Sequence, residues 1–151
     1  MNTVNVRMAT PSDLRELAEL FDGYRQFYLQ APDLERARDF IEERLARNDS
    51  WILVAERGDS LVGFSQLYPS FSSTHTSRIA ILNDLFVAAP ARRSGVAAAL
   101  LLASQDLGRK LGLSVLELST AIDNTGAQAL YRKYGWIRDT EFHVFSRSLT
   151  D

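Results

Sequence analysis

The spacing of hydrophobic residues changes period several times along the chain and so separates strands from helices. Residues 4–8 alternate between apolar and polar side chains, which is typical of a short strand. Apolar residues then recur at helical spacing from Leu14 to Tyr24, behind Thr10–Pro11, a favourable N-cap and first helical residue. This pattern predicts one helix to about Tyr28 and a second from about Asp33 to Asn48.

The middle of the chain has the pattern of strands. Trp51 to Glu56 and Leu61 to Tyr68 flank the turn residues Gly58-Asp59, which predicts a β-hairpin. The Ser/Thr-rich stretch from Ser70 to Ser77 predicts a polar loop. Ile79 to Val87 is more apolar, and we expect this third strand to lie inside the sheet.

The last third of the chain alternates helices with strands. The pattern predicts a helix from about Gly95 to Leu111, a strand from Val115 to Ser119, a helix from Asn124 to Tyr134 and a closing strand from Phe142 to Ser148. The order β-α-α-β-β-β-α-β-α-β predicts an α/β fold, a mixed central sheet flanked by helices. The length of 151 residues is typical of one domain, which we expect to span residues 1–151.

Composition and charge narrow the classes of partner. The 46% hydrophobic and 24% charged residues are those of a globular protein. With 17 basic and 19 acidic side chains, the chain has no global cationic field, so we expect no nucleic-acid partner. The longest apolar run, Val96 to Ala103, is too short to span a membrane, and the N-terminal sequence has no secretory signal pattern. We therefore expect a cytoplasmic protein without membrane attachment.

Cysteine and histidine contents limit the possible chemistry. The chain has no cysteine, which excludes disulfides, thiolate nucleophiles and cysteine-ligated metals. Its two histidines, His75 and His143, lie far apart in sequence without a carboxylate cluster around either. We expect no metal site, and a structural role for His143.

The segment from Leu82 to Leu102, LNDLFVAAPARRSGVAAALLL, is the most informative one. A strand ends, a turn follows, and Arg92-Arg93-Ser94-Gly95-Val96-Ala97 leads into a helix. Free backbone N–H groups and the positive end of a helix dipole then meet at one point, which suits a diphosphate. The patterns GxxxxGK[ST] and GxGxxG are absent. Taken alone, the segment is equally consistent with a basic helix start capped by Gly95.

A second segment, NTGAQALYRKYGW from Asn124 to Trp136, bears on the choice between a diphosphate site and a plain helix start. At 100° per residue, Asn124, Ala127 or Gln128, and Tyr131 lie close to one helix face. Taken alone, Tyr131 is more typical of a packed core aromatic than of a catalytic residue.

Together, the two segments resemble the GCN5-related N-acetyltransferase (GNAT) superfamily. RRSGVA is similar to the acetyl-CoA loop (Q/R)xxGx(G/A), NTGAQALYRKYGW is similar to NxxAxxLYxxxGF, and the predicted order of elements agrees over most of the chain. The sequences FDGYRQFYL and YPSFSS also resemble a bacterial subgroup similar to the yeast Hpa2-type acetyltransferases.

The resemblance implies how acetyl-CoA, the acetyl donor, is held. Backbone amides of residues 92–97 would bind the diphosphate, and the edge of the strand at residues 85–87 would pair with the pantetheine arm. Asn124 would contact the cofactor or line the cleft where two parallel strands separate, and Tyr131 would protonate the departing thiolate. The implied cofactor-binding residues are Leu85, Phe86, Val87, Arg92, Arg93, Ser94, Gly95, Val96, Ala97, Asn124, Ala127 and Tyr131.

The general base is the point at which the chain departs from the family. Several members carry Glu where this chain has Asn83, and an amide cannot accept a proton. The candidates are a water chain near Asn83, then Asp84, then Glu117. On a regular strand Asn83 and Asp84 point to opposite faces, so Asp84 replaces the missing carboxylate only if a bulge re-aims it. Asp84 could instead be a structural partner of loop backbone.

The resemblance also implies an acceptor site rich in aromatic side chains. Its members would be Phe21, Tyr24, Phe27, Tyr28, Tyr68, Phe71 and Ser72, although Phe21 and Tyr24 also have the spacing of a buried stripe.

The implied reaction is direct acetyl transfer to a primary amine of a small molecule, such as a polyamine or amino acid, or of a peptide. Because Asn83 replaces Glu, a catalytically weak acyl-CoA-binding sensor is the alternative. An exposed edge at the closing strand predicts a homodimer.

Overall fold

Five strands form one mixed sheet in a computed structural model that describes residues 3–150. They are β1 (Asn5–Met8), β2 (Trp51–Arg57), β3 (Ser60–Ser72), β4 (Ser77–Val87) and β5 (Leu116–Glu117), and they follow one another across the sheet in chain order. The pairings from β1 to β4 are antiparallel, and β5 runs parallel to β4. The predicted mixed sheet, with β4 inside it, is therefore confirmed.

The helices begin and end close to the predicted residues. They are α1 (Leu14–Phe27), α2 (Leu34–Arg47), α3 (Val96–Lys110) and α4 (Thr125–Lys133), with short 3-10 turns at Pro11–Asp13 and Ala89–Ala91. The boundaries follow local chemistry. Asp33 caps α2 by accepting the Arg36 N–H, and Asn48 ends that helix in a left-handed conformation. No helix within residues 3–150 is both long enough and apolar enough to cross a membrane.

The chain separates into two compact units. The first ends at Ser119 and contains the sheet and α1–α3, and the second begins at Thr120 and contains α4. In the first unit, apolar side chains from both faces of the sheet are buried against helices. The α1/α2 side includes Leu17, Phe21, Ile41, Val54 and Phe64, and the α3 side includes Leu53, Ala55, Val87, Val96 and Leu100.

Two predicted elements are wrong. Residues 142–148 form no strand, because they have no ladder partner in the described part of the chain and apolar alternation alone does not supply one. The predicted loop from Ser70 to Ser77 is mostly strand: β3 and β4 remain paired as far as Ser72 and Ser77, and only residues 73–76 turn. Ser and Thr side chains do not prevent strand formation when both backbones have a partner.

Candidate functional site

The loop between β4 and α3, residues 88–95, has a conformation that turns backbone N–H groups outward. Arg93 and Gly95 both adopt left-handed conformations, with φ of 61° and 84°, and Gly95 is the N-cap of α3. Arg92 turns back toward the sheet: its Nε donates to the Val87 carbonyl oxygen at 2.9 Å, and its guanidinium lies over the Phe86 ring. The loop is thus fixed by a side chain that the resemblance assigned to cofactor binding.

Among the described residues 3–119, no hydrogen-bond acceptor is found for the backbone N–H groups of residues 93–98. The last bond before them joins the Arg92 N–H to the Ala89 oxygen at 3.3 Å, and the first after them joins the Ala99 N–H to the Gly95 oxygen at 3.0 Å. Apart from Gly95 and its two chain neighbours, no residue has an atom within 4 Å of the place where a Cβ on Gly95 would stand, among those that the structure describes. Free N–H groups, the positive end of α3 and open space therefore coincide, an arrangement suited to an anion.

Arg57, at the end of β2, supports this loop and was not found by sequence reasoning. Its Nη2 donates to the Ser94 hydroxyl at 3.2 Å, and that hydroxyl donates to the Ala91 carbonyl oxygen. The contact joins residues that are 37 positions apart. No local pattern marks such a pair, because only the sheet brings the end of β2 to the loop.

The edge of β4 next to the loop is open. β5 pairs with β4 only at Ala80 and Ile81, whereas β4 continues to Val87. The Ala88 N–H donates to the Val62 oxygen of β3 at 2.8 Å, so by alternation Leu85 and Val87 turn their backbone groups away from β3. β5 ends at Glu117, opposite Ile81, and so does not reach Leu85. The Leu85 N–H therefore faces a gap within the first unit, where an extended ligand can add as a strand.

A β-bulge interrupts β4 at Asn83. Asp84 pairs with Gln66, but the next pair joins Leu82 with Leu67, so Asn83 is an extra residue with no partner of its own. From Asp84 to Val87 the pairing is regular, so Asp84 lies on the same face as Phe86, the α1/α2 side of the sheet.

The Asp84 carboxylate is held by two side-chain amides. One oxygen accepts from Gln66 Nε2 at 2.7 Å, and the other accepts from Asn83 Nδ2 at 2.8 Å. The expected alternative, a bond to loop backbone, does not describe these contacts. Asp84 is only 1% exposed, and burial raises the pKa of its carboxyl above the ordinary range, an effect that the amide bonds partly oppose. A carboxylate with a raised pKa is a stronger base.

Tyrosine side chains surround this carboxylate. Tyr24 of α1 donates its hydroxyl to the Asn83 carbonyl oxygen at 3.0 Å, and burial together with the nearby Asp84 charge raises its pKa. Burial and the same charge also raise the pKa values of Tyr28, the C-cap of α1, and of Tyr68 on β3. Asn83, Asp84, Tyr24, Tyr28 and Tyr68 therefore form one group, which we call the tyrosine–aspartate cluster.

Two other predicted acceptor residues lie outside this cluster. Phe21 is a core residue: its ring stacks on Phe40 with centroids 5.3 Å apart and meets the Phe64 ring edge-on at 6.1 Å. Phe71 is three residues after Tyr68, so alternation on β3 puts it on the opposite face of the sheet, where it is 76% exposed. The buried-stripe interpretation thus describes Phe21, and the sheet does not bring Phe71 to Asp84.

Phe27 and Ser72 also have defined surroundings. Phe27 is half exposed at the end of α1, with its ring 5.2 Å from that of Tyr28. Ser72 is at the end of β3, where its hydroxyl accepts from the His75 N–H at 3.3 Å. The remaining base candidate, Glu117, is an exposed residue of β5 opposite Ile81.

Asp22, a buried residue of α1, fixes the connection that follows Tyr28. Its carboxylate accepts from Arg25 at 2.7 Å, from Gln26 at 3.2 Å and from the Asp33 backbone N–H at 3.1 Å. This carboxylate therefore links α1 to the start of α2. Sequence reasoning missed it, because an acidic residue on a helix usually faces water.

The second unit contains the other predicted site residues. Asn124 is the N-cap of α4, and its Oδ1 accepts the Ala127 N–H at 3.1 Å. The Tyr131 ring lies 6.0 Å from the Trp136 ring, and the Trp136 N–H donates to the Tyr131 carbonyl oxygen at 3.0 Å. Gly135 ends this segment with φ of 90°. Asn124 therefore has a capping role of its own.

Within residues 3–150, no group of three or more His, Cys, Asp or Glu side chains is arranged to hold a metal ion. His75 lies in the turn between β3 and β4, and His143 lies in the irregular segment after α4.

Comparisons with known proteins agree on one family. A model of the family described as Acetyltransferase (GNAT) family matches residues 14–136. The chain is 45% identical over 139 residues to the Bacillus subtilis protein named Uncharacterized N-acetyltransferase YhfO, covering 92% of this chain and 93% of that one. A probable acetyltransferase of Haemophilus influenzae is 34% identical over 95 residues, 62% of this chain and 65% of that protein.

Solved structures show the same fold. A crystal structure described as a probable acetyltransferase is 40% identical, with a TM-score of 0.90 over 97% of this chain and 99% of that chain. The aminoglycoside N-acetyltransferase AAC(6')-Iy, solved in complex with CoA, is 22% identical, with a TM-score of 0.81 over 99% of this chain and 97% of that chain. At that identity, the second likeness concerns the fold alone.

Proposed function

The chain belongs to the acetyltransferase (GNAT) family and is an acetyltransferase, and from this premise we propose that it transfers the acetyl group of acetyl-CoA directly to a primary amine. The observation that carries the proposal is the run of unpartnered N–H groups at residues 93–98 beside the open edge of β4. The N–H groups suit a diphosphate, and the open strand edge suits an extended arm that contains amides. In acetyl-CoA a diphosphate is joined to such an arm.

On the donor side, residues 93–98 would hold the diphosphate through their backbone, with Gly95 leaving room for close approach. The free edge at Leu85 and Val87 would pair with the pantetheine arm. Acetyl-CoA supplies an activated thioester. The Leu85 N–H is placed to polarise a carbonyl in the gap beside β4, a contribution worth about 3 kcal/mol in other acyl-transfer sites. Positioning of both reactants on one rigid sheet would supply much of the remaining acceleration.

On the acceptor side, the tyrosine–aspartate cluster would receive the amine. The rings of Tyr24 and Tyr28 lie 5.0 Å apart, and such rings can contact an alkyl stem and its cationic group. A primary amine has a pKa near 10.4, so only about one molecule in 2,500 is neutral at pH 7. The proton must be removed before attack. We assign this task to Asp84, because its carboxylate lies among the tyrosines of the cluster and its pKa is raised.

Tyr131 would protonate the departing thiolate, and Asn124 and Ala127 would contact the cofactor, as the family motif implies. Tyr131→Phe removes the hydroxyl and keeps the ring, so the packing beside Trp136 is preserved. We expect turnover to fall while affinity for acetyl-CoA stays unchanged, measured by steady-state kinetics and calorimetry. Unchanged turnover would remove the proposed acid role.

The first experiment is a thermal shift with acetyl-CoA, followed by a screen for CoA release. At a ligand concentration of about 100 Kd, linkage predicts about 2.7 kcal/mol of stabilisation. The screen offers polyamines, amino acids, aminoglycosides and peptide N-termini as acceptors. Turnover with any one of them supports the proposal and identifies the substrate class. Binding without turnover on the whole panel would favour the acyl-CoA sensor suggested by Asn83, and no thermal shift would refute the donor site itself.

We further propose that the protein is cytoplasmic and forms a homodimer. The alternating residues 142–148 have no ladder partner within the described chain, and a second copy could supply one. Light scattering at micromolar concentration tests the assembly, and a monomeric mass would refute it.

A further inference from the structure

Three buried polar side chains form a line across the α1/α2 face of the sheet. Ser50, just before β2, donates its hydroxyl to Gln66 Oε1 at 2.8 Å, and Gln66 Nε2 donates to Asp84 Oδ2 at 2.7 Å. Gln66 is 0% exposed, and Ser50 is also buried. A glutamine in the middle of a buried strand is uncommon, and its two polar ends both require partners.

The order of donors in this line is fixed by chemistry. An ionised carboxylate only accepts, so the Gln66 amide must present its NH2 group to Asp84. Its oxygen then points the other way and needs a donor, which Ser50 supplies. If the amide were reversed, two oxygens would face each other at the carboxylate and the Ser50 hydroxyl would face an NH2 group. The charged Asp84 therefore sets the amide orientation, and Ser50 supplies the donor that the Gln66 oxygen needs in that orientation.

We propose that Gln66, anchored by its hydrogen bond from Ser50, is a positioning residue of the acetyl transfer: it holds the Asp84 carboxylate charged and in one rotamer within the tyrosine–aspartate cluster. This inference rests on the proposed function, in which Asp84 is the base. Gln66 has no acidic proton and donates only one way along the line. A proton taken up by Asp84 therefore cannot leave through Gln66 into the core.

Other groups near Asp84 do not titrate in the relevant range. The titratable side chains that face it are the phenols of Tyr24 and Tyr28 from α1 and of Tyr68 from β3, and their pKa values are all raised. An ordinary tyrosine titrates near pH 10, so all three stay neutral between about pH 5 and 9. Beyond Tyr68, Arg44 and Asp49 form an ion pair at 2.8 Å. The three phenols therefore contribute no acidic limb to the pH profile.

The test compares Ser50→Ala and Gln66→Met with Ser65→Ala in the full-length protein. Ser65 is a matched control, because it is a buried, hydrogen-bonded hydroxyl directly before Gln66 on the opposite face of β3. Gln66→Met keeps the side-chain length and removes the donor. Ser50→Ala is the milder change, and it keeps the test informative if Gln66→Met fails to fold.

Loss of the amide donor disfavours the charged carboxylate, so the Asp84 titration must move to higher pH. We expect the acidic limb of kcat to shift upward in both variants and kcat at pH 7 to fall at least tenfold in Gln66→Met. The Kd for acetyl-CoA and the profile of Ser65→Ala should stay as in the wild type. Unchanged pH limbs in both variants, or an equal shift in Ser65→Ala, would overturn the inference.

A second readout does not require activity. Carboxyl carbon NMR of aspartate-labelled protein follows the titration of Asp84 directly, with Asp84→Asn identifying the signal. An upward shift in Ser50→Ala supports the positioning role, and an unchanged titration refutes it, even if no amine in the panel is acetylated. Failure of the wild type to acetylate any amine refutes the proposed function separately.

Discussion

Replacement of Gly95 by alanine tests the proposed diphosphate site, because its effect on the unfolding free energy can be measured apart from its effect on the affinity for acetyl-CoA. Gly95 has φ of 84°, and a Cβ there would meet no atom of the described chain within 4 Å, apart from Gly95 and its two chain neighbours. The variant therefore suffers only the cost of a left-handed alanine, about 1–2 kcal/mol of unfolding free energy. In the bound state, the added methyl group would occupy the space between the free N–H groups and the diphosphate.

Gly112→Ala is the matched control. Gly112 also has a left-handed conformation, with φ of 72°, and its added Cβ would lie 3.7 Å from Arg78, an ordinary contact. It follows the other end of α3, a helix of 15 residues and hence about 22 Å long. Both variants should lose about 1–2 kcal/mol of stability in urea titrations without ligand.

Only Gly95→Ala should lose affinity for acetyl-CoA. We expect its Kd to rise at least tenfold, which is about 1.4 kcal/mol, while that of Gly112→Ala stays within about twofold. At a concentration of 100 times the wild-type Kd, ligand stabilisation would then fall from about 2.7 to about 1.4 kcal/mol in Gly95→Ala. Calorimetry gives Kd directly. Wild-type affinity in Gly95→Ala, or equal losses in both variants, would refute the proposed diphosphate site.

Four further substitutions test the scaffold. The buried hydroxyls of Ser65 and Ser104 lie 3.0 Å apart, so Ser104→Ala leaves the Ser65 hydroxyl unpaired and should lower the unfolding free energy by about 1–3 kcal/mol. Ser65→Ala leaves the Ser104 hydroxyl bonded to its own helix and should lower it by only about 0.5–1.5 kcal/mol. Equal losses of stability in urea titrations would contradict this order. Arg7 donates to Asp13 at 2.8 and 2.9 Å and lowers its pKa, so Asp13→Asn should cost about 1.5–3 kcal/mol at pH 7. The difference should shrink as the pH falls below the ordinary value of about 3.9, and a constant difference in acid titrations would oppose it. Gly63→Ala places a Cβ 2.8 Å from a backbone oxygen of β4 and should cost about 1–3 kcal/mol with reduced turnover, so wild-type stability would argue against rigid strand packing there.

The helices and the mixed sheet could be predicted because their signals are local. Apolar spacing identified α1 and α2, and the helix predicted from Asn124 appears as α4, with Asn124 as its N-cap. The segments RRSGVA and NTGAQALYRKYGW identified the family because both are contiguous in the chain. The Hpa2-type subgroup and the roles of the site residues stay predictions.

Strand ends were less predictable, because they depend on a partner. Residues 142–148 have the alternation of a strand but form none, and the polar residues around Ser72 and Ser77 are paired although their composition indicated a loop. β5 ends after Glu117, which leaves the edge of β4 open. Each outcome depends on whether another strand lies beside the segment. That strand comes from a distant part of the chain, so the local sequence does not predict it.

The sequence by itself determined the α/β class and the family and predicted the place of the proposed anion-binding loop before α3, since each depends on residues that are neighbours in the chain. Only the tertiary structure decided that Asn83 forms a bulge, that Asp84 is buried against Gln66, and that Arg57 reaches Ser94. Strand register and burial arise from pairing between distant segments. A shift of one residue in that pairing changes the face on which every following side chain lies, and here it determines where the candidate base points.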